Sequence, residues 1–231
     1  MSTTLSRAIP RLENGDELTR EEFERRYDAM PKARAQLIEG VVYMSSPIRF
    51  DSHGRPHSRM GGLFASYEMA TPGVAASITA TVRLDDANAP EPDLTMVVLP
   101  EFGGQIQITE DYLDGPPELI AEISASTVSI DLHKKREAYE RNGVKEYVVW
   151  RTEDGAIDWF VHDGQRFQRA TPEADGVLRS RTFPGLWIDV PALLSDDGPK
   201  LLATLQRGLA SAEHEAFVLR LREAAERIRN R

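Results

Sequence analysis

Apolar and polar positions along the chain predict a sheet built around two buried strands. Residues 94–99 form a run that is apolar except for Thr95, which is typical of a strand covered on both faces. Residues 118–124 form a second such strand, interrupted by the acidic residue Glu122. The connection between them, residues 100–117, is rich in glycine and proline. Consecutive strands are often neighbours in a sheet, and we expect these two to run antiparallel.

The other elements follow from spacing and turn residues. Thr19 and Glu22 have the spacing of a capping box, which predicts a short helix to about residue 29. Apolar residues at helical spacing predict further helices over residues 56–70 and 131–142. Period-two patterns and turn residues predict strands within residues 36–44, 74–84, 145–151, 157–161, 166–169 and 177–182.

Three segments organise the chain. Residues 1–18 are polar and without periodicity, which predicts a flexible arm that becomes ordered only on docking. Residues 19–197 carry all the predicted strands and are expected to form one α/β domain. Residues 198–231 predict two helices divided near Gly208, whose apolar stripe packs on the core or on a partner in a homodimer.

The amino-acid composition and net charge exclude several classes of site and of function. The 231 residues include no cysteine, which excludes disulfides, thiolate metal sites and cysteine nucleophiles and fits a cytoplasmic protein. No apolar run reaches the roughly 18 residues of a membrane helix, so we expect no membrane segment. A net charge of -9 argues against charge-driven coating of nucleic acid. Any binding or cleavage of nucleic acid is therefore expected to be confined to a local site or to be assisted by a metal cation.

The acidic residue inside the second strand requires a partner, because burying an uncompensated carboxylate costs several kcal/mol or more. In the antiparallel pair, Asp93 at the start of one strand is expected to lie beside Glu122 or Ile123 near the end of the other. Two carboxylates on adjacent strand ends form a site that suits Mg²⁺, which takes one or two protein carboxylates. Glu118 is a weaker candidate because it lies about 13 Å from Glu122 along an extended strand.

The following helix supplies a positive group. Lys135 falls on the same helical stripe as Leu132 and Tyr139, so its side chain is directed inward. Lys134 points elsewhere and is interpreted as a surface charge. A metal-dependent phosphodiesterase needs such a cation to orient water and to offset negative charge in the transition state.

Several short motifs, in a fixed order over roughly residues 19–194, resemble one known family. The chain resembles the Uma-two family of restriction endonuclease-like proteins, in the PD-(D/E)xK nuclease superfamily. The resemblance is carried by residues 36–40 (QLIEG), Pro92-Asp93, residues 117–126 (PELIAEISAS), Asp131 with Lys135 and Tyr139, residues 143–150 (GVKEYVVW) and residues 183–186 (FPGL).

This resemblance implies a restriction-endonuclease-like mixed β-sheet flanked by helices and metal-dependent cleavage of DNA. The implied cofactor is Mg²⁺, for which Mn²⁺ can substitute. Asp93 and Glu122 match the metal-binding acids, and Lys135 matches a helix-borne catalytic lysine. Two positions depart from the pattern. Ser124 stands where the superfamily has its lysine, and Gln36 stands where the family usually has an acid.

Further candidates are accessory to these three residues. Glu39, in the turn after Gln36, is a candidate replacement for the missing acid, and Tyr139 lies on the lysine's stripe. His57 sits where the resembling family often has a histidine near the cleft. His53 and His57 have a metal-binding spacing, but Gly54 and Pro56 are expected to spoil that geometry. The candidate phosphate contacts are Arg49, Arg55 and Arg59.

Two alternatives stay open. The fold could serve as a nucleic-acid or protein binding module with a weakened site, as Ser124, Gln36 and the acidic net charge suggest. A two-carboxylate glycosidase is a less favoured reading, which requires carboxyl groups about 5 to 9.5 Å apart and no shared ion. The sequence does not distinguish DNA from RNA.

Overall fold

The structure is a computed structural model that describes residues 9–230. Its strands are β1 (Ala35–Ile38), β2 (Val41–Met44), β3 (Val74–Ile78), β4 (Val82–Arg83), β5 (Leu94–Val98), β6 (Gln107–Thr109), β7 (Tyr112–Asp114), β8 (Leu119–Ser124), β9 (Glu146–Arg151), β10 (Ala156–His162), β11 (Phe167–Ala170), β12 (Val177–Arg179) and β13 (Trp187–Asp189). Its α-helices are α1 (Arg20–Asp28), α2 (Arg55–Ala70), α3 (Val128–Ile130), α4 (Arg136–Asn142), α5 (Val190–Leu194), α6 (Gly198–Leu209) and α7 (Ala212–Arg229).

A six-stranded mixed sheet forms the centre, in the order β11-β10-β9-β8-β5-β3. Only β8 and β9 pair in parallel within it, and the helix between them makes the crossover that a parallel pair requires. The predicted neighbours β5 and β8 are antiparallel, with Leu94 opposite Ala121. All residues of both strands are buried. The predicted mixed sheet flanked by helices is confirmed.

Helices cover both faces of this sheet. Alternate residues of β8, such as Ala121 and Ile123, join one apolar cluster with α2, α6 and α7. Ile120 points to the other face and packs with Tyr139 of α4 and Tyr147 of β9. Because side chains alternate along a strand, Glu122 shares the face of Ile120 and therefore faces the helix that follows β8.

Two helical segments contain a π-helical turn. Phe50–Gly54 forms such a turn and continues directly into α2, while Asp131–Lys135 forms another between α3 and α4. Pro56 stands in the first turn of α2, where its missing N–H is tolerated. The expectation that Gly54 and Pro56 would spoil the geometry of His53 and His57 is therefore wrong. Both histidines lie on one continuous helical segment.

The predicted single strand over residues 74–84 is interrupted. Thr79 adopts a positive φ of 54°, which is incompatible with a regular strand, and the chain leaves β3 there. The continuation, β4, pairs with β7 in a separate three-stranded sheet with β6. The long connection between β5 and β8 thus contains two short strands that the glycine- and proline-rich sequence did not reveal.

Part of the predicted N-terminal arm is docked. Leu12 is buried in a cluster with Phe23 and Leu37, and Glu17 forms a bridge with Val41. Backbone hydrogen bonds join Gly15 and Asp16 to Val42. The burial of Leu12 explains why this stretch follows the β1–β2 hairpin rather than extending into solvent. Residues 1–8 of the predicted arm lie outside the described residues.

The C-terminal segment forms two helices as predicted. Leu201 and Leu205 of α6 and Phe217 and Leu221 of α7 are buried in the main core cluster. The apolar side chains of α6 and α7 therefore pack on this domain's own core, together with residues of α2 and the central sheet. No helix within residues 9–230 is long and apolar enough to cross a membrane.

The contact between α6 and the β12–β13 region predicts that alanine substitutions at two glycines change the stability in opposite directions. A Cβ on Gly208 would lie 2.2 Å from the carbonyl oxygen of Gly185, whereas a Cβ on Gly62 of α2 would meet no atom within 4 Å. We expect Gly208→Ala to lower the free energy of unfolding by about 1–3 kcal/mol or more. Gly62→Ala is the control and should raise it by about 0.5–1 kcal/mol. Urea denaturation measures both, and equal stability of the two variants would contradict this packing.

Candidate functional site

The two predicted acids lie side by side at one end of the central sheet. Asp93 immediately precedes β5, and the register of β5 with β8 continues to place it opposite Glu122. The backbone N–H of Ile123 donates to Asp93 Oδ2 at 2.7 Å, which fixes that carboxylate against β8. Glu122 is buried, while the side chain of Asp93 retains 16% exposure. The pair is therefore reached from solvent on the Asp93 side.

Lys135 and Tyr139 both bind the buried carboxylate. Lys135 Nζ lies 3.0 Å from Glu122 Oε1, and the Tyr139 hydroxyl donates to the same oxygen at 3.0 Å. Both side chains are buried and come from the helical segment that crosses the face on which Glu122 lies. The structure thus brings Glu122, Lys135 and Tyr139 together, as their spacing in the sequence predicts.

Asp131, to which the sequence motifs assign no role in the site, also belongs to this cluster. Its Oδ1 lies 3.4 Å from Lys135 Nζ. Its Oδ2 accepts hydrogen bonds from Ser124 at 2.8 Å and Thr127 at 2.6 Å. Ser124, at the superfamily's lysine position, therefore anchors the carboxylate that contacts the lysine here. The four-residue spacing of Asp131 and Lys135 on a helix was the available sequence signal.

Burial and the neighbouring charges shift the pKa values of Glu122 and Lys135 in opposite directions. Burial acts to raise the pKa of Glu122, and attraction to Lys135 acts to lower it. Burial acts to lower the pKa of Lys135, but attraction to Glu122 and Asp131 outweighs it and raises that pKa above its ordinary value. Lys135 is therefore held as a cation, which can donate hydrogen bonds but cannot accept a proton.

Two histidines approach Asp93 from the α2 side. His53 Nε2 lies 3.1 Å from Asp93 Oδ1, and His57 Nε2 donates to the Asp93 carbonyl oxygen at 2.8 Å. Burial acts to raise the pKa of Asp93, but the contact with His53 outweighs it and holds the pKa below its ordinary value. The same contact raises the pKa of His53. The sequence predicts His57 as an accessory residue and His53 as structural, whereas the structure brings both histidines to Asp93.

One set of three residues in the described part of the chain could hold a metal ion. His53, His57 and Asp93 each offer one ligand atom, and these atoms lie within 4.8 Å of one another. Glu122 is not a member of this set. Its carboxylate is instead engaged by Lys135 and Tyr139.

Other predicted residues have partners away from the two acids. Glu39 Oε1 accepts from Arg141 at 2.6 Å and from Asn88 at 3.1 Å, so its carboxylate is held by groups other than the site. Gln36 Oε1 accepts from the backbone N–H of Glu91 at 3.4 Å. The structure records no contact that brings Gln36 or Glu39 to Asp93 or Glu122 among the residues it describes.

The three candidate arginines differ in their environment. Arg55 and Arg59 both pair with Asp196, and Arg59 Nη2 lies 2.5 Å from its Oδ1. Arg49 is exposed and forms no ion pair within residues 9–230. A phosphate that met Arg55 or Arg59 would have to compete with Asp196.

Glu118 and Lys134, the two weaker candidates from the sequence, contact residues outside the site. Glu118 accepts from the backbone N–H groups of Val98 at 2.9 Å and Gln105 at 3.1 Å, far along β8 from Glu122. Lys134 is exposed and donates to the Tyr43 hydroxyl at 3.1 Å.

Comparison with known proteins finds a family and a solved structure to which this chain is similar. A family model described as "Uma2: Putative restriction endonuclease" matches residues 20–191. The crystal structure of "a putative nuclease belonging to DUF820" from Anabaena variabilis ATCC 29413 is similar, with a TM-score of 0.58 and 14% identity. The alignment covers 77% of this chain and 98% of that chain, and at this identity it shows a shared fold. No curated protein matches this chain.

The adjacent lysines of the site helix allow a matched test of the buried charge cluster. Lys135→Met leaves Glu122 and Asp131 buried without their cation, so we expect it to lower the free energy of unfolding by about 3–5 kcal/mol. Lys134→Met removes only an exposed contact with Tyr43 and should change stability by no more than about 0.5 kcal/mol. Urea denaturation at neutral pH compares them. A loss of less than about 1 kcal/mol for Lys135→Met would show that the cluster is not held by this ion pair.

Proposed function

Because the chain belongs to the Uma2 family of restriction endonuclease-like proteins, we propose that it hydrolyses DNA phosphodiester bonds as a metal-dependent endonuclease. The observation that carries the proposal is the joint position of Asp93, Glu122 and Lys135. Two carboxylates meet at adjacent strand ends, and a lysine held as a cation lies 3.0 Å from one of them. Phosphodiester hydrolysis needs a carboxylate that can hold a metal ion and a positive group close to it.

The residues present fit a divalent cation. Asp93 is partly exposed, and its Oδ1 is not occupied by the backbone bond that holds Oδ2. Carboxylate oxygens are the protein ligands that Mg²⁺ prefers, and the remaining positions of the ion take water or phosphate oxygen. When bound, a divalent ion would polarise the phosphate and acidify a coordinated water.

The role proposed for Lys135 is to hold the attacking water and to offset negative charge on the phosphate. A protonated amine can donate hydrogen bonds to water or to a phosphate oxygen, and preorganised donors of this kind contribute strongly to catalysis. Asp131 is proposed as its positioning residue, because it lies 3.4 Å from Lys135 Nζ and is itself held by Ser124 and Thr127. The helix-borne lysine thereby supplies the charge that the superfamily pattern places at the position of Ser124.

A binding module without catalysis is the second candidate. Ser124 in place of the strand lysine and the net charge of -9 favour it. It predicts binding of DNA that no metal converts into cleavage. Homodimerisation through the C-terminal helices also stays a prediction, which sedimentation across a range of concentrations would test.

Cleavage of supercoiled plasmid DNA tests the proposal directly. We expect nicking in the presence of Mg²⁺ or Mn²⁺ and none after removal of divalent ions with EDTA. Asp93→Asn should lower the rate by at least about 100-fold, the scale of removing one essential electrostatic group. Asp86→Asn is the control, because the Asp86 side chain is fully exposed and belongs to another part of the surface.

Glu122→Gln is a better probe of the second acid than alanine, because glutamine keeps the size of a side chain buried against Lys135 and Tyr139. We expect a comparable loss of cleavage with a folded protein, checked by circular dichroism. Metal-dependent cleavage that is equal in wild type, Asp93→Asn and Glu122→Gln would remove the assignment. DNA binding without cleavage in the wild type would favour the binding module.

A further inference from the structure

The geometry points to a transition-metal site formed by His53, His57 and Asp93, in which Glu122 is not a ligand. The inference deepens the proposed function by naming the class of ion, and it rests on that function only for the ion's role in catalysis. The ion would be centred between Asp93 and the helical segment that carries both histidines, rather than between the two carboxylates.

The three ligand atoms are close enough to share one ion. They lie within 4.8 Å of one another. Around an ion with bonds of about 2.0–2.2 Å, ligand atoms are about 3 to 4 Å apart, so small side-chain movements suffice to close the site. The rings of His53 and His57 have centroids 5.5 Å apart, and their four-residue spacing puts both on one face of the continuous helical segment.

His53 carries the independent observation that favours a ligand. Its Nε2 is buried and has no hydrogen-bond partner of good geometry, although Asp93 Oδ1 is only 3.1 Å away. Buried polar atoms are nearly always satisfied, so this nitrogen requires an explanation. Two ligand atoms that aim their lone pairs at a common point, rather than at each other, have this arrangement.

His57 is oriented as metal ligands commonly are. Its Nε2 donates to the backbone carbonyl of Asp93 at 2.8 Å, and a carbonyl oxygen can only accept. In the neutral ring this bond leaves Nδ1 unprotonated, so Nδ1 is the nitrogen of His57 that could bind a metal. Metal-binding histidines typically donate their second ring N–H to a carbonyl or carboxylate in this way.

The donor set determines the class of ion. Mg²⁺ prefers oxygen ligands, whereas imidazole nitrogen suits zinc, iron, cobalt and nickel. Two histidines and one carboxylate leave coordination positions open for water and a phosphate oxygen, as in catalytic sites. Glu122 is left to hold Lys135 beside this ion, which separates the tasks of the two carboxylates.

Metal binding by the full chain, measured without DNA, tests the site. After EDTA treatment and removal of the chelator, Co²⁺ serves as the probe through its visible d–d absorption. We expect one Co²⁺ per chain, displaced by Zn²⁺ and not displaced by an excess of Mg²⁺. His53→Ala and His57→Ala should each weaken Co²⁺ binding by at least about 10–100-fold, since even outer-shell changes have effects of that size.

Two further variants make the test specific. His133→Ala removes an exposed histidine whose described hydrogen bond is to the carbonyl of Ser129, and it should bind Co²⁺ as the wild type does. Glu122→Gln should also keep Co²⁺ binding, because Glu122 lies outside the ligand set. Circular dichroism shows whether each variant is folded.

The outcomes separate this inference from the proposed function. Co²⁺ binding that survives both histidine substitutions, that Mg²⁺ displaces, or that Glu122→Gln weakens as much as His53→Ala does would overturn the site. Cleavage with Mg²⁺ that is unaffected by His53→Ala would overturn it while leaving the nuclease in place. Histidine-dependent Co²⁺ binding without any cleavage of DNA would support the site and contradict the nuclease.

Discussion

The buried ion pair between Glu122 and Lys135 is the constraint on which the rest of the site depends. A carboxylate and an ammonium group removed from water are stable only where their geometry is good and their remaining hydrogen-bonding capacity is used. Tyr139 contributes a second donor to Glu122, and Asp131 contributes a second acceptor to Lys135. These contacts fix the rotation of the helical segment of residues 128–142 about its own axis and its distance from the sheet.

The main features of the site follow from periodicity in the sequence. The apolar run after Asp93 and the buried strand around Glu122 each specify a strand, and their antiparallel pairing fixes the two acids as neighbours. The position of Lys135 follows from its stripe with Tyr139. These predictions succeed because strand alternation and helical spacing are local properties that burial enforces.

The features that the sequence did not reveal depend on backbone geometry or on distant contacts. Gly54 and Pro56 usually interrupt helices, yet a π-helical turn and the first turn of α2 accommodate them and bring His53 to Asp93. Thr79 interrupts an apparently regular strand because its backbone takes a positive φ. Asp196, which pairs with Arg55 and Arg59, lies 141 and 137 residues away from them in the chain, and no local pattern reports such a contact.

The site consists of a cationic half around Lys135 and a second half formed by His53 and Asp93. The two halves differ in the sequence separation of their residues. Glu122, Asp131 and Lys135 all belong to one continuous strand–helix–strand unit, β8 to β9, and only 13 residues separate the ion-paired Glu122 and Lys135. His53 and Asp93 are 40 positions apart and reach this unit only when α2 and β5 have docked. Closing the shorter loop costs less conformational entropy, so the cationic half can assemble early and locally during folding. We therefore expect the half formed by His53 and Asp93 to be completed last, once the sheet itself has formed.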